Sequence, residues 1–325
     1  MLTYFEIKHI IIVTGLPTPL MKMMCPMGRH FFISKEVIIL ELKSPTTYEE
    51  QVDLIKSKGF VISDIEKEDC IKFLQKINYY RLSAYSLPFR DKNGNYFPGI
   101  SFSRIKNIYE FDSRMRGLIF SIIEDIEINI HTKLSYYVAH KYGALGYLST
   151  EMFSNQHDSG RFKEKINSCI SENSSTLVVK HHREKYDDQF PIWVIIEFFS
   201  MGMLSYFYKD MISADKKAIA AEMNMAPKLL ESWLRCLTDL RNKCAHYTRL
   251  YYWSFTTLPA IPKSENIKAD RKLFSQLLVL KYLYPTPQKW NSRFIIPLNA
   301  LIDEYKTNIS LSHIGFPENW MELLS

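Results

Sequence analysis

The sequence predicts an all-α protein, and three observations carry that expectation. Apolar residues recur at three- and four-residue steps over several long segments, the period of helices that bury one face. Glycine is scarce, 11 in 325 residues, where turn-rich β structure needs many. Hydrophobic residues make up 46% of the chain, enough for such helices to close around a sizeable core.

Along the chain, residues 10–13 form a short apolar run that Pro17 and Pro19 soon interrupt. The run is too short to span a bilayer, and a secretory signal would have a basic start and a small-residue cleavage site. Met21, Met24 and Met27 are alternative starts, so residues 1–43 read as a poorly structured extension. Thr46 or Thr47 is placed to cap a first helix, with Glu50 or Gln51 completing a capping box and Gly59 stopping it near residue 58. A second helix fits 67–77, with Cys70, Ile71, Leu74 and Ile77 on one face. Residues 78–90 are aromatic and irregular, and the turn signal from Asp91 to Asn95 predicts a small hairpin over 85–97. A long helix is expected over 103–142, with Leu118, Ile119, Ile122, Ile126, Ile130, Leu134 and Tyr137 as its apolar stripe. One helix follows at 161–170, then a basic loop at 180–185. Pro191 opens an apolar helix over 192–201, and a polar helix covers 214–223. Pro227 suits the first turn of a helix whose stripe is Leu230, Trp233, Leu234, Leu237, Leu240 and Cys244. Beyond Pro259 a helical tail holds pieces at 271–282 and 297–306, with Pro285 and Pro287 marking the break between them.

The formal net charge of +6 is mild, so it permits a polyanionic partner without requiring one. The cysteines, Cys25, Cys70, Cys169, Cys236 and Cys244, are odd in number and include no CxxC pair. That signals neither a zinc ribbon nor a disulfide framework, and reduced thiols in the cytoplasm are the simplest account. His181 and His182 are adjacent and point apart, so no metal site is expected there.

One segment carries chemistry: Leu240-Arg241-Asn242-Lys243-Cys244-Ala245-His246. Arg241 and His246 lie about 140° apart on a straight helix, so they close one site more readily when two such helices meet across a two-fold axis. A guanidinium binds phosphate with a fork of donors and stabilises the extra charge of a five-coordinate phosphorus. A histidine titrating near neutrality takes the proton from a ribose 2′-hydroxyl or returns one to the leaving 5′-oxygen. Asn242 is placed to position a phosphate oxygen or orient the histidine. No metal or other cofactor is needed when the neighbouring 2′-hydroxyl is the nucleophile.

Other blocks give that segment a context. They are Tyr48-Glu49-Glu50-Gln51, the run from Ile77 through Tyr79, Tyr80 and Arg81 to Tyr85, and Ile108 to Arg116 with Asp112, Arg114 and Arg116. Glu124 to Ile128, Pro191 to Glu197 and Leu240 to Leu250 complete the set. In order and content, over residues 46–253, the blocks resemble the AbiD/AbiF-like abortive-infection family of the HEPN superfamily. The resemblance implies a HEPN-type helical bundle, with its core at about 103–253 inside an Abi-like domain of residues 44–258. Additional N-terminal helices precede that core, and a C-terminal helical tail of residues 259–325 follows it. It also implies a metal-independent endoribonuclease that works as a homodimer in phage defence and away from membranes, with Arg241, Asn242 and His246 catalytic. Some relatives are linked to a small structured RNA that restrains or guides them. Where the family commonly has an arginine after the Glu-Ile pair, this chain has Asn129, Ile130 and His131.

Glu127 and Glu197 are candidates to orient His246 or pair with Arg241, and His131 to meet phosphate. Arg114, Arg116, Lys243, Arg249, Lys180, Arg183 and Lys185 are candidate RNA contacts, although Asp112 and Arg116 are also spaced as a helix pair. The alternative from another class is an RNA-binding module without catalysis.

Overall fold

Ser, Thr and Asn start the first helices by capping them. The computed structural model describes residues 44–93, 95–262, 265 and 267–325; the extension expected over 1–43 and Cys25 lie outside the described residues. Thr47 caps α1 (Tyr48–Ser57): its hydroxyl accepts from the Glu50 amide at 3.2 Å, and its own amide donates to the Glu50 carboxylate at 2.7 Å. Ser63 and Glu66 repeat the device at α2 (Asp64–Lys76). Asn78 then caps α3 (Tyr79–Ser86) by accepting from the Tyr80 amide. This helix replaces the irregular stretch expected over 78–90, because Leu82 and Tyr85, three residues apart, bury one face of it against the next helix. The hairpin expected over 85–97 shrinks to one antiparallel bridge between Arg90 and Tyr96. A 3-10 turn at Leu87–Phe89 takes the residues a first strand would need.

α4 (Phe102–Tyr142) is the spine, about 60 Å long at helical rise. Ile105, Ile108, Met115, Ile119, Ile122, Ile126, Ile130 and Leu134 are buried along it. Gly143 ends it in a positive-φ conformation that side chains resist. α5 (Ser159–Glu172) follows, then α6 (Leu177–Tyr186), which corrects the expected basic loop at 180–185. Val179 and His182 bury one face of α6, and the His182 ring lies 2.9 Å from the Gln189 carbonyl. The single apolar helix expected over 192–201 is broken. α7 (Ile192–Ile195) runs on through one 3-10 turn, Phe199 becomes extended, and the Ser200 hydroxyl caps α8 (Met201–Asp210). α9 (Ser213–Glu222) leads to α10 (Pro227–Ala245), with Pro227 in its first turn as expected.

The tail supplies α11 (Leu273–Leu283), α12 (Pro287–Trp290), α13 (Ile296–Tyr305) and α14 (Trp320–Leu324). Pro287 opens α12 instead of marking a break, and the chain passes to α13 through a π turn at Asn291–Ile295. Pro297 lacks the N–H for the regular hydrogen bond of the preceding turn, which accounts for the wider winding. α11 is buried on nearly every side, α13 packs on α4, and Leu277, Leu280, Phe294 and Leu298 join the common core. Residues 47–325 form one compact all-α unit.

α4 and α10 run antiparallel: Asp112 meets the backbone of Leu250 and Tyr251, Glu127 meets Arg241, and Ile130 and Leu134 line one small void with Leu230 and Leu234. At one end of this pair the Asp112 carboxylate, 1% exposed, is saturated with donors. It accepts from the Tyr85 hydroxyl at 2.7 Å, the Leu250 amide at 3.1 Å and the Tyr251 amide at 2.6 Å, and it pairs with Arg116. Removing one partner of a buried pair strands the other charge, a loss of about 3–5 kcal/mol. Asp112→Ala is therefore expected to lower unfolding stability by about that much in urea titration. A loss under about 1 kcal/mol would show that the network is not what holds these elements.

Candidate active site

His246 sits at the C-cap of α10, and the chain turns sharply after it. The Thr248 amide donates to the Lys243 carbonyl at 2.9 Å and the Tyr247 amide to Cys244 at 3.2 Å, the paired bonds of a left-handed helix stop. Tyr247 takes the left-handed position, φ 56°, where glycine is usual; a side chain there is strained by about 1–2 kcal/mol. The surroundings hold it. Arg81 Nη1 donates to the Tyr247 carbonyl at 2.6 Å, Arg249 Nη1 donates to the Ala84 carbonyl, and Asp112 takes the next two amides. His246 is exposed and lines a cavity of about 470 Å³ with Asn78, Tyr80, Arg81, Tyr247 and Thr248.

Arg241, five residues earlier, faces α4. Its Nε lies 3.8 Å from Glu127 Oε2, and its guanidinium carbon is 5.9 Å from the centre of the Phe120 ring. That Nε is buried and has no hydrogen-bond partner among the described residues. One turn further along α4, His131 is 7% exposed, with Nδ1 3.6 Å from Glu197 Oε2 and Nε2 buried and unpartnered. Arg241 on α10 and His131 on α4 thus each bury a nitrogen that lacks a partner among the described residues, and buried polar groups are rarely left so. Glu127, His131 and Glu197, named from the sequence, come together on the Arg241 side. Asn242 is exposed, and none of Arg241's neighbours on α4 lines the His246 cavity.

A family model described as Abi-like protein matches residues 72–252. The chain belongs to the Abi-like family. No curated protein and no solved structure matches it. Family membership points to abortive infection, a defence against phage. Among the described residues no helix is long and apolar enough to cross a membrane, and no three His, Cys, Asp or Glu side chains converge on one point.

Within this Abi-like chain several residues expected to grip RNA do something else. Arg116 is 5% exposed and held by Asp112 and the Tyr85 hydroxyl, so it offers nothing to a ligand. Arg249 anchors the turn after His246. Lys243 pairs with Asp239 at 3.5 Å and lies 4.5 Å over the Trp253 ring. Arg114 is exposed but paired with Glu304 of the tail. His131 is buried, with Nδ1 turned to Glu197. Lys180, Arg183 and Lys185 are exposed on α6, with Arg183 paired to Asp188 at 3.1 Å. Tyr85 is core, while Tyr80 is 81% exposed at the His246 cavity. Burial pushes the Cys244 thiol up to about 12, so the cysteine inside the motif is no nucleophile at neutral pH. Sequence reasoning missed the Arg81 and Arg249 ties to backbone carbonyls, because residue types give no sign that a guanidinium serves a turn.

The strain at Tyr247 is open to test. Tyr247→Gly is expected to raise unfolding stability by about 1 kcal/mol, read from a thermal or urea midpoint. An unchanged or lower midpoint would mean that the tyrosine ring's contacts outweigh the backbone strain.

Proposed function

We propose that this Abi-like chain is a metal-independent HEPN endoribonuclease of abortive infection that cuts cytoplasmic RNA at a site built from Arg241, Asn242 and His246 of two copies. The observation that carries the reading is the state of Arg241. A half-buried guanidinium is held loosely by one carboxylate, with an unsatisfied donor, on the same short segment as an exposed histidine. A phosphate would satisfy that donor and take the positive charge that Glu127 only partly answers. His246, open to solvent beside Tyr80 and Tyr247, is placed to exchange a proton with the ribose 2′-hydroxyl or the leaving 5′-oxygen. Asn242, exposed between them in sequence, offers both a donor and an acceptor to a phosphate oxygen or to the imidazole. Attack of the 2′-hydroxyl on phosphorus forms a 2′,3′-cyclic phosphate and expels the 5′-oxygen, so the substrate supplies its own nucleophile.

The dimer follows from the separation of the two groups. Arg241 looks toward α4 and His246 toward α3, so one chain offers each to a different surface. Exposed apolar side chains flank the segment: Phe120 at 40%, Ile128 at 57% and Tyr247 at 66%. Such exposure beside a half-complete site suits a self-complementary two-fold contact.

Arg241→Ala and His246→Ala are each expected to cut RNA cleavage by about 10²-fold or more while circular dichroism stays unchanged. Wild-type cleavage by either variant would remove the assignment. Cleavage should persist in EDTA, yield a cyclic phosphate end and fail on RNA with a 2′-deoxy sugar at the cut position. Cutting of that deoxy substrate would overturn the mechanism. Light scattering should give twice the chain mass; a strict monomer cutting at full rate would refute the composite site.

A further inference from the structure

The solvent face of α10 carries Lys228, Glu231, Arg235, Thr238, Asn242 and then His246, at steps of three and four residues. Below the first four of these lies a groove of about 1400 Å³, floored by α8, the start of α9 and the segment at 256–258. Lys209, Lys216, Lys217, Lys228, Arg235 and Arg271 line it against only Glu231 and Asp239, so six cations less two carboxylates leave a surplus of four. The whole chain has a formal net charge of only +6, so positive charge is concentrated here. Some of these charges are engaged: Lys216 pairs with Glu231 at 3.1 Å, and Arg271 donates to the Thr256 carbonyl. Lys217, Lys228 and Arg235 are exposed and make no ion pair among the described residues. At the rim Tyr206 is 60% exposed, with the ammonium groups of Lys209 and Lys165 at 5.5 and 5.7 Å from its ring.

We propose that this groove is a track for single-stranded RNA, carrying its backbone along α10 toward Asn242 and His246; the proposal rests on the ribonuclease reading of that end. From Lys228 to His246 the helix face spans about 27 Å, the reach of several nucleotides. Unpaired lysines and an arginine along a groove are what a phosphate backbone needs, and an exposed tyrosine among cations offers a base a stacking surface. An acidic protein segment would use the same charges, but the face of α10 that walls the groove continues, one turn beyond Thr238, to Asn242 of the proposed catalytic set. The track is distinct from α6, whose Lys180, Arg183 and Lys185 lie on another helix.

The test uses the full chain and a fluorescein-labelled, 2′-O-methylated single strand, which binds but has no 2′-hydroxyl to attack. Anisotropy is read across a salt series. K217E, K228E and R235E together should weaken binding by at least about tenfold and reduce the slope of log affinity against log salt by roughly 2, about 0.7 for each lost phosphate contact. The same reversal at Lys72, Lys76 and Lys289, exposed and outside the groove, should change affinity less than about twofold. If the reversed triple variant fails to fold by circular dichroism, the Gln triple at the same positions takes its place, with weakening and a lowered slope again expected. Unchanged affinity and slope, no binding by the wild type, or tighter binding of a polyglutamate peptide than of the oligonucleotide would each overturn the track. Because the probe cannot be cut, the outcome is separable from the catalytic reading. A His246→Ala chain that still cuts RNA defeats the site alone, and an unaffected probe affinity with His246-dependent cleavage defeats the track alone.

Discussion

The buried carboxylate of Asp112 is the interaction on which the site's geometry depends. Donors converge on it from α3, from its own helix and from the chain just beyond α10. A charge taken out of water is tolerated only when its partners are all present, so each donor is held by the penalty of losing it. The segment after His246 has no regular secondary structure of its own to fix it. It is fixed because Leu250 and Tyr251 must give their amides to Asp112, and Arg81 and Arg249 then tie down the carbonyls on either side. Residues that look like a basic and aromatic ligand surface in the sequence are in large part the scaffold of one turn.

That scaffold is set against two unfavourable features. Tyr247 is held in a conformation that suits glycine, and Arg241 and His131 each bury a nitrogen without a partner. A network that over-determines its surroundings supports such strain. Glu127 lies 3.8 Å from Arg241 Nε, too far for a good hydrogen bond, which leaves the guanidinium oriented but not neutralised.

The antiparallel run of α4 along α10 decides which faces remain open. α8 packs on one flank of α10, α11 closes another, and α13 covers part of α4. What stays uncovered is the Lys228–Asn242 face with its basic groove and the side of α4 that carries Phe120 and Ile128. Both open faces lie next to the Arg241–His246 segment, one basic and the other apolar.

The sequence by itself determined the helices and their stripes. Thr47, Ser63 and Pro227 start helices where capping and first-turn chemistry put them, and the long stripe from Leu118 to Tyr137 lies on one helix. These are local effects, written within a few residues of where they act. Residue type and spacing also singled out Arg241, Asn242 and His246 as candidates for chemistry. Only tertiary structure decided which charges are free. Nothing near Arg249 in sequence says that it is consumed by the Ala84 carbonyl of α3; the spacing of Asp112 and Arg116 did offer a helix pair, but only the fold buries that pair with Tyr85 and the amides beyond α10. The same holds for the breaks. Ser200 divides an apolar run that periodicity joins, and Leu82 and Tyr85 make a helix of a stretch that reads as irregular. At Leu82 and Tyr85 burial against α4 outweighs the local preference, while at Ser200 a helix cap interrupts what apolar periodicity would join. The basic groove was invisible for that reason too: Lys217, Lys228 and Arg235 sit on two helices, and they share a groove only because those helices pack.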